Sequence, residues 1–384
     1  MQYLFDALGK LLGNRRRQRA VNERLSRTFQ CRCGAQVFFR NSQCLNCQRP
    51  LGYWPDEGQL VALDPGATAD TWQAEGAAPP AKFCANRDTP AGCNWLLAAD
   101  DAHAYCVACG LNHAIPLASD PDNARCWGLI EVAKRRLVSQ LLALGLPVRS
   151  KVGDDPEHGL AFDFLRSPPE GPRVLTGHAN GLITLNIEEA DDARREAIRH
   201  ALREPYRTLL GHFRHEVGHY YWDRLVRDGP WLEPFRALFG DERTDYAEAL
   251  KRNYEQGPPA DWADRHISAY AATHPWEDWA ETWAHYLHVV DSLGTALGFG
   301  LDAADLESDI KPFTRDNLYA PDHPGAARFL ELLNGWIEMT MVLNELARSL
   351  GQHDFYPFVM SRPVVAKLHF VHLVVEGARP APAV

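Results

Sequence analysis

The sequence predicts an α+β fold, in which a cysteine-rich N-terminal region precedes a domain that opens with a few strands and continues as mostly helical chain. Two observations lead to this prediction. All nine cysteines lie within the first 126 of the 384 residues, in a stretch rich in Gly, Pro and Asn. Beyond about residue 192, apolar residues instead recur with the three-and-four spacing of helices, as far as about residue 350.

Composition and charge disfavour several classes of function. The apolar and charged fractions, 46% and 23%, are those of an ordinary globular protein. A formal net charge of −10 disfavours general binding to nucleic acids or membrane surfaces, which needs a positive field. No apolar run reaches the roughly 18 residues of a membrane helix. The apolar stretch 3–12 precedes the basic cluster 15–19, the reverse of a secretory signal. We therefore expect a cytoplasmic protein without membrane or nucleic-acid partners.

The first 30 residues form a basic extension with seven positive and two negative side chains. Such a run of charge predicts a solvated surface helix or a partly disordered segment. Contact with nucleic acid or with a protein partner is the less favoured interpretation.

The first cysteine cluster predicts a structural zinc site. It consists of Cys31, Cys33, Cys44 and Cys47. Cytosolic disulfides are reduced, so closely spaced cysteines there more often bind metal, and zinc suits four thiolates at tetrahedral corners. The strand-forming residues Val37, Phe38 and Phe39 lie between the two pairs, as expected for a hairpin that joins them. The alternative interpretation is four reduced, buried cysteines.

A second cluster predicts a second structural zinc site. It consists of Cys84, Cys93, Cys106 and Cys109. The spacing of the last pair is specific, whereas His103 and His113 compete with the first two cysteines, because imidazole binds zinc equally well. Cys126 is left over, and we interpret it as a small buried residue without a role.

A helix over residues 120–147 follows the cysteine region. Apolar residues from Trp127 to Leu144 recur with helical spacing, and Gly145-Leu146-Pro147 is expected to end the helix. We interpret this helix as the connection between the two parts of the chain.

Three strands are predicted after the helix, at residues 160–165, 173–176 and 182–188. The last of these alternates apolar and polar side chains, which is typical of a half-buried strand. The Asn180-Gly181 pair before it predicts a tight hairpin with residues 173–176.

The strongest chemical signal is His215-Glu216-Val217-Gly218-His219 in a helical stretch. Residues four apart share a helix face, so both imidazoles can bind one metal ion. Glu216 lies about 100° around the helix, where it can act as general base on a metal-activated water. Burying two histidines and a glutamate on one apolar helix would be costly without a metal. Gly218 would let a neighbouring element pack closely.

A third ligand is expected from the segment 274–287. A catalytic zinc needs three protein ligands and an open fourth position. Glu277 and Glu281 share a helix face behind Pro275, so one can bind zinc while the other orients a zinc-bound imidazole. The residues alone leave open which glutamate does which, and a solvated acidic face is the alternative. Trp276, Trp279 and Trp283 are interpreted as a packing stripe.

These motifs resemble the bacterial zinc-binding metallopeptidases that carry an N-terminal zinc ribbon, a gluzincin-type group of the zincin superfamily. The resemblance rests on the first cysteine cluster with Cys93-Asn94-Trp95, and on the longer stretches 204–223 and 274–287. It implies a small, twisted mixed sheet, an active-site helix and a mostly helical lower half.

With this resemblance the chain divides into five segments. These are a basic N-terminal extension (1–30), a zinc-ribbon domain with two zinc sites (31–115), a connecting helix (116–150), a zincin-like metallopeptidase domain (151–378) and a flexible tail (379–384).

The resemblance also implies roles for single residues. In gluzincins the ligand glutamate is followed four residues later by an orienting carboxylate, which makes Glu277 the zinc ligand and Glu281 the orienting residue. The opposite assignment remains an alternative. Relatives often place an oxyanion-stabilising tyrosine ahead of the ligand glutamate, which implies Tyr270, with Tyr254 and His274 as rivals.

Two further expectations concern the surroundings of the helix with the paired histidines. His212 lies near the phase of His215, and we interpret it as a satisfied core histidine. By resemblance, residues 182–188 would form an edge strand that binds substrate through its backbone.

The expected function is a zinc-dependent metallopeptidase. His215, His219 and Glu277 would bind one catalytic Zn²⁺, Glu216 would be the base, and two further Zn²⁺ would be structural. The expected partner is a peptide or protein substrate, and the acidic net charge favours zinc ribbons that serve contact with a protein partner or stability alone. Two alternatives stay open: a zinc hydrolase of non-peptide amides, and a protein-binding module with an idle zincin domain.

Overall fold

The computed structural model describes residues 25, 27–74, 79–202, 204–301, 306 and 309–379. The chain divides between Phe213 and Arg214 into two compact units. Most of the predicted basic extension (1–30) and residues 380–384 of the predicted tail lie outside the described residues. The predicted α+β class is confirmed, while the predicted domain boundaries stay a prediction.

The first unit begins with two antiparallel sheets built from short strands. Their bounds are β1 Thr28–Gln30, β2 Gln36–Phe38, β3 Leu51–Trp54, β4 Gln59–Pro65, β5 Trp72–Ala74, β6 Ala81–Phe83 and β7 Leu96–Ala98. Strands β1 and β2 form a hairpin, and β3 to β7 form a five-stranded sheet in chain order. The ring of Tyr53 packs 4.8 Å from Phe39 and 4.9 Å from Trp95, so an aromatic core supports the cysteine-rich region.

A four-stranded mixed sheet follows, in the order β10-β11-β9-β8. Its strands are β8 Asn112–Ala114, β9 Ala161–Leu165, β10 Gly177–Ala179 and β11 Leu182–Asn186. Strands β8, β9 and β11 run parallel, and β10 pairs antiparallel with β11. Strand β8 comes from the end of the cysteine-rich region, so that region contributes a strand to this sheet.

The hairpin around Asn180-Gly181 is confirmed, because both residues have positive φ, 49° and 81°. Its first strand lies at residues 177–179 rather than at 173–176. The expectation of an edge strand at residues 182–188 is wrong. Strand β11 lies between β9 and β10, and it ends where the Asn186 side chain accepts a hydrogen bond from the Glu188 amide and starts a 3₁₀ turn.

The first unit also contains α1 (Pro121–Ala143) and α2 (Asp192–Leu202). Helix α1 was predicted, and its start is fixed by Asp120, whose side chain accepts hydrogen bonds from two amides of the first turn. Gly145, at a φ of +74°, follows its end. Helix α3 (Leu209–Leu225) contributes residues 209–213 to this unit and residues 214–225 to the second.

The second unit is helical among its described residues. Its further helices are α4 Leu232–Phe239, α5 Tyr246–Gln256, α6 Trp262–Arg265, α7 Pro275–Gly298, α8 Ala326–Ser349 and α9 Arg362–Gly377. Helix α9 packs on α7, where the Lys367 ammonium donates to the buried Asp278 carboxylate at 2.6 Å. None of the helices that the structure describes is both long enough and apolar enough to cross a membrane.

Helices α3 and α7 lie in close contact because one residue between them has no side chain. A Cβ on Gly218 would lie 3.0 Å from the Cα of Ala280 and 3.3 Å from the Cβ of Trp283. The Trp279 indole donates to the Gly218 carbonyl at 2.8 Å. The expectation that Gly218 permits close packing is therefore confirmed, and the contact sets the spacing between the histidine pair and the acidic segment.

Candidate metal centre

Two imidazoles meet on the buried face of α3. His215 and His219 are one helical turn apart, and their Nε2 atoms lie 3.2 Å from each other. Both residues are buried, with 8% and 4% of their surface exposed. Two buried imidazoles this close need either a shared proton or a shared cation.

Glu277 of α7 completes a three-residue cluster. Its Oε2 lies 3.0 Å from Nε2 of His215 and 3.6 Å from Nε2 of His219. This oxygen is buried, and no described residue donates a hydrogen bond to it. Such an orphaned carboxylate oxygen beside two ring nitrogens is what a metal ion would satisfy.

The spacing of these three atoms fits a zinc ion. Zinc binds imidazole nitrogen and carboxylate oxygen at about 2.0–2.2 Å, so neighbouring tetrahedral ligands lie about 3.3–3.6 Å apart. Of the observed separations, 3.6 Å lies within that range, and 3.2 and 3.0 Å lie 0.1–0.3 Å below it. The donor set of two imidazoles and one carboxylate also suits zinc, and it leaves a fourth position for water or substrate.

Glu281 contacts the opposite side of the His215 ring. Its Oε1 lies 2.7 Å from Nδ1 of His215, and its Oε2 accepts a hydrogen bond from the Ser268 hydroxyl at 2.6 Å. When Nδ1 donates to this carboxylate, Nε2 keeps its lone pair for a metal. Glu277 thus faces both Nε2 atoms, while Glu281 faces only the far nitrogen of one ring.

The electrostatics of the cluster keep both carboxylates ionised. Burial raises the pKa of Glu277, but the neighbouring imidazoles of His219 and His215 outweigh burial and hold that pKa well below its usual value. Burial likewise opposes ionisation of Glu281, yet the hydrogen bond and charge of His215 lower its pKa to about 2. A buried carboxylate and a half-buried carboxylate beside two imidazoles therefore favour bound positive charge.

Tyr246 is a site residue that the sequence reasoning missed. It begins α5, and its hydroxyl donates to Oε1 of Glu277 at 2.7 Å. Burial and the negative charge of Glu277 raise its pKa, so the hydroxyl stays protonated. No spacing rule links residues 31 positions apart, so only the folded chain brings this pair together.

The sequence predicts Trp276 as part of a packing stripe, but the structure places it beside the histidine pair. Its ring centroid lies 4.1 Å from that of His219, so it forms a wall of the histidine pair. Trp279 and Trp283 are fully buried, as a packing stripe requires.

Tyr270 lies beside the histidine pair, whereas one of its rivals is exposed to solvent and the other caps a helix. Its ring centroid is 5.9 Å from that of His215. Burial, and then the charge of Glu277, raise the pKa of the Tyr270 hydroxyl. Tyr254 is 67% exposed. His274 caps α7 by accepting from the Trp276 amide at 3.1 Å.

Glu216 is buried, with 5% of its surface exposed. It is close enough to Tyr246 that its charge adds to burial and to Glu277 in raising the pKa of that hydroxyl. His212 instead lies 2.7 Å from Oε2 of Glu189 through its Nδ1, within the first unit.

Each predicted cysteine cluster forms a compact group of four sulfurs. In the first, Cys31 and Cys47 lie 3.6 Å apart through their sulfurs, and Cys33 and Cys44 lie 3.7 Å apart. Zinc at about 2.3 Å from four tetrahedral sulfurs separates neighbouring sulfurs by about 3.8 Å. The geometry therefore fits zinc.

The second cluster gathers Cys84, Cys93, Cys106 and Cys109. The sulfurs of Cys93 and Cys106 are 3.7 Å apart. The competing ligands are engaged elsewhere, since Nδ1 of His103 lies 2.8 Å from Asp101 and Nδ1 of His113 lies 2.7 Å from Asp163.

Comparisons with known proteins identify the family. The sequence profile of a family described as "Putative zinc-binding metallo-peptidase" matches residues 123–374, and that of a zinc-ribbon domain matches residues 28–120. The chain belongs to this zinc-binding metallopeptidase family. Its N-terminal part is a zinc-ribbon domain.

Three curated relatives match nearly the whole chain. Uncharacterised proteins of Mycobacterium bovis and of two strains of Mycobacterium tuberculosis are each 41% identical to it over 356 residues. The match covers 92% of this chain and 96% of each relative. No solved structure shows significant similarity to the chain.

Proposed function

We propose that this chain is a zinc-dependent peptidase of the gluzincin type, which hydrolyses peptide bonds with Glu216 as general base. The observation that carries the proposal is the convergence of Nε2 of His215, Nε2 of His219 and Oε2 of Glu277 at the separations of a tetrahedral zinc site. Membership of a zinc-binding metallopeptidase family supports it.

Three residues would hold the ion, and a fourth would fix one of them. His215, His219 and Glu277 supply the ligand atoms. Glu281 would accept a hydrogen bond from Nδ1–H of His215, which directs the other ring nitrogen, Nε2, toward the metal site. Zinc bound there would lower the pKa of a water molecule and polarise the carbonyl of the scissile bond.

The remaining chemistry belongs to the side chains around the ligands. Glu216 would take the proton of the attacking water and pass it to the leaving amine. Tyr246 is engaged with Glu277. Tyr270 lies near His215 and shares a hydrogen bond with Tyr246, and it is the phenol that would donate to the oxyanion. The Tyr270 hydroxyl stays protonated over the working pH range, because burial and Glu277 raise its pKa.

A comparison of the wild type with Glu216→Gln tests the proposal. Both proteins are assayed for zinc content and for cleavage of an unbiased peptide library by mass spectrometry. We expect equal zinc content in the two proteins, with cleavage only by the wild type, because the substitution removes the base and keeps the ligands.

Two results would count against the proposal. Equal cleavage by both proteins would remove Glu216 as the base. A zinc-loaded wild type that cuts no peptide would favour either the idle binding module or a hydrolase of other amides, and non-peptide amides assayed on the same two proteins would distinguish these.

A further inference from the structure

The segment between α6 and α7 carries Tyr270, and a buried serine precedes this tyrosine. Tyr270 begins the 3₁₀ turn Tyr270–Thr273, which lies between these two helices. Ser268 lies two residues before Tyr270 and is only 8% exposed. A buried hydroxyl is costly unless it forms hydrogen bonds, so the partners of Ser268 indicate its role.

The hydroxyl of Ser268 joins this turn to α7. It donates to Oε2 of Glu281 at 2.6 Å, and it accepts from the Ala271 amide at 3.1 Å. An amide N–H can only donate and an ionised carboxylate can only accept, so the directions of both hydrogen bonds are fixed. One oxygen atom therefore connects the backbone of the turn that carries Tyr270 with a carboxylate of α7.

Glu281 extends this connection to the proposed metal site. Its Oε1 lies 2.7 Å from Nδ1 of His215. One oxygen of the carboxylate thus faces the Ser268 hydroxyl, and the other faces the His215 ring. A carboxylate that is held at both oxygens has little freedom to rotate. The Ser268 hydroxyl therefore limits the orientations of the group that orients His215.

A separate contact anchors the start of the segment. The Lys367 ammonium donates to the Arg265 carbonyl at 2.8 Å and to the Asp278 carboxylate of α7 at 2.6 Å. Lys367 is 4% exposed, so this contact is buried. Because it does not involve Ser268, loss of the Ser268 hydroxyl should leave the segment packed on α7 and change only the turn and the carboxylate that the hydroxyl contacts.

We propose that Ser268 is a positioning residue for the metal site formed by His215, His219 and Glu277. It orients the His215 ring through Glu281. It also places Tyr270, through the hydrogen bond that its hydroxyl accepts from within the 3₁₀ turn. The statement about Tyr270 rests on the proposed peptidase activity, whereas the statement about the metal site concerns zinc affinity alone.

The first test measures the zinc affinity of the full-length protein by competition with a chelator. Ser268→Ala removes the hydroxyl and adds no bulk. Loss of a direct partner of a metal ligand costs about 10–100-fold in affinity, and Ser268 lies one contact further out than Glu281. We therefore expect Ser268→Ala to weaken zinc binding at the metal site about three- to tenfold.

Two matched variants accompany Ser268→Ala. Ser268→Thr should bind zinc within about twofold of the wild type, because its side chain offers the same donor and acceptor. Ser349→Ala is the control for loss of a serine hydroxyl. Ser349 is an exposed residue of α8, and its hydroxyl donates to the Leu346 carbonyl of the same helix at 2.7 Å. Its substitution should leave zinc affinity unchanged.

A double-mutant cycle shows whether Ser268 acts through Glu281. Glu281→Ala removes the carboxylate that connects Ser268 with His215. In this background Ser268→Ala should weaken zinc binding by less than about twofold, because residues that act through one contact do not contribute independently. A serine that only supports packing would cost the same affinity in both backgrounds.

The second test concerns Tyr270 and uses zinc-saturated protein with a peptide that the wild type cleaves. An oxyanion forms only in the transition state, so a misplaced phenol should lower kcat and leave KM nearly unchanged. We expect Ser268→Ala to lower kcat about three- to tenfold in the wild-type background. In the Tyr270→Phe background it should lower kcat by less than about twofold.

Several results would overturn the proposal. Zinc affinity of Ser268→Ala equal to that of the wild type would do so, as would a loss that Ser349→Ala or Ser268→Thr shares. A loss of the same size with and without the Glu281 carboxylate would also do so. An unchanged kcat, or equal decreases with and without the Tyr270 hydroxyl, would remove the role in placing Tyr270.

Failure of the proposed peptidase function gives a different result. A wild type that cuts no peptide would remove that function together with the role of Ser268 in placing Tyr270. The zinc measurements would still decide whether Ser268 acts on His215 through Glu281, because they require no turnover.

Discussion

The hydroxyl of Tyr246 offers a sharp test of how the proposed metal centre is held. It donates to the Glu277 oxygen that faces away from the histidine pair, at 2.7 Å. Tyr246→Phe removes this hydroxyl and keeps the ring, whose centroid lies 5.2 Å from His274 and 6.2 Å from Trp276. The change therefore removes one hydrogen bond to a proposed zinc ligand, together with the hydrogen bond that the same hydroxyl shares with Tyr270.

The expected size of the effect follows from burial and charge. A hydrogen bond to a charged group contributes about 1.5–3 kcal/mol, and loss of a partner that orients a metal ligand costs about 10–100-fold in metal affinity. Tyr246 is 37% exposed, so water can replace part of the lost interaction. We therefore expect an effect at the lower end of the 10–100-fold range. Zinc binding at the site of His215, His219 and Glu277 should become about tenfold weaker.

The assay is zinc competition against a chelator of known affinity. Zinc held by the cysteine clusters is expected to be released separately and serves as an internal reference. Tyr254→Phe is the matched control, because Tyr254 lies on the same helix and is 67% exposed. Zinc affinity within twofold of the wild type in Tyr246→Phe, or an equal loss in both variants, would refute the positioning role.

Three more predictions test other parts of the structure. Glu281→Gln should weaken zinc binding about 10–100-fold in the same competition assay without preventing folding, because it leaves the His215 ring less firmly oriented; unchanged affinity would argue against this role. Gly218→Val should lower the free energy of unfolding by about 1–3 kcal/mol in denaturant titrations, since it forces α3 from α7; unchanged stability would contradict the close contact. Cys93→Ser should remove one equivalent of zinc by elemental analysis, while Cys126→Ser, at a buried cysteine outside both clusters, should remove none.

Local patterns in the sequence were sufficient for much of the fold and for the main components of the site. The cysteine spacings, the hairpin at Asn180-Gly181 and the start of α1 at Asp120 depend on residues close in the chain. The pairing of His215 with His219 depends on helical geometry alone. These features were therefore predictable without knowledge of the tertiary structure.

Features set by long-range contacts were not predictable in the same way. Strand β11 has the alternation of a half-buried strand whether it lies at an edge or inside a sheet, and only the pairing with β9 and β10 decides this. Strand β8 is too short to carry a strand pattern of its own. Tyr246 and Trp276 reach the site through contacts between helices, which no periodicity reports.

The proposed function requires one zinc ion held by His215, His219 and Glu277. Anomalous diffraction at the zinc absorption edge, on crystals of the full chain, tests it most directly. We expect an anomalous peak among the two Nε2 atoms and Oε2 of Glu277, in addition to one peak in each cysteine cluster. Peaks confined to the cysteine clusters, or a third peak bound by Glu281 in place of Glu277, would contradict it.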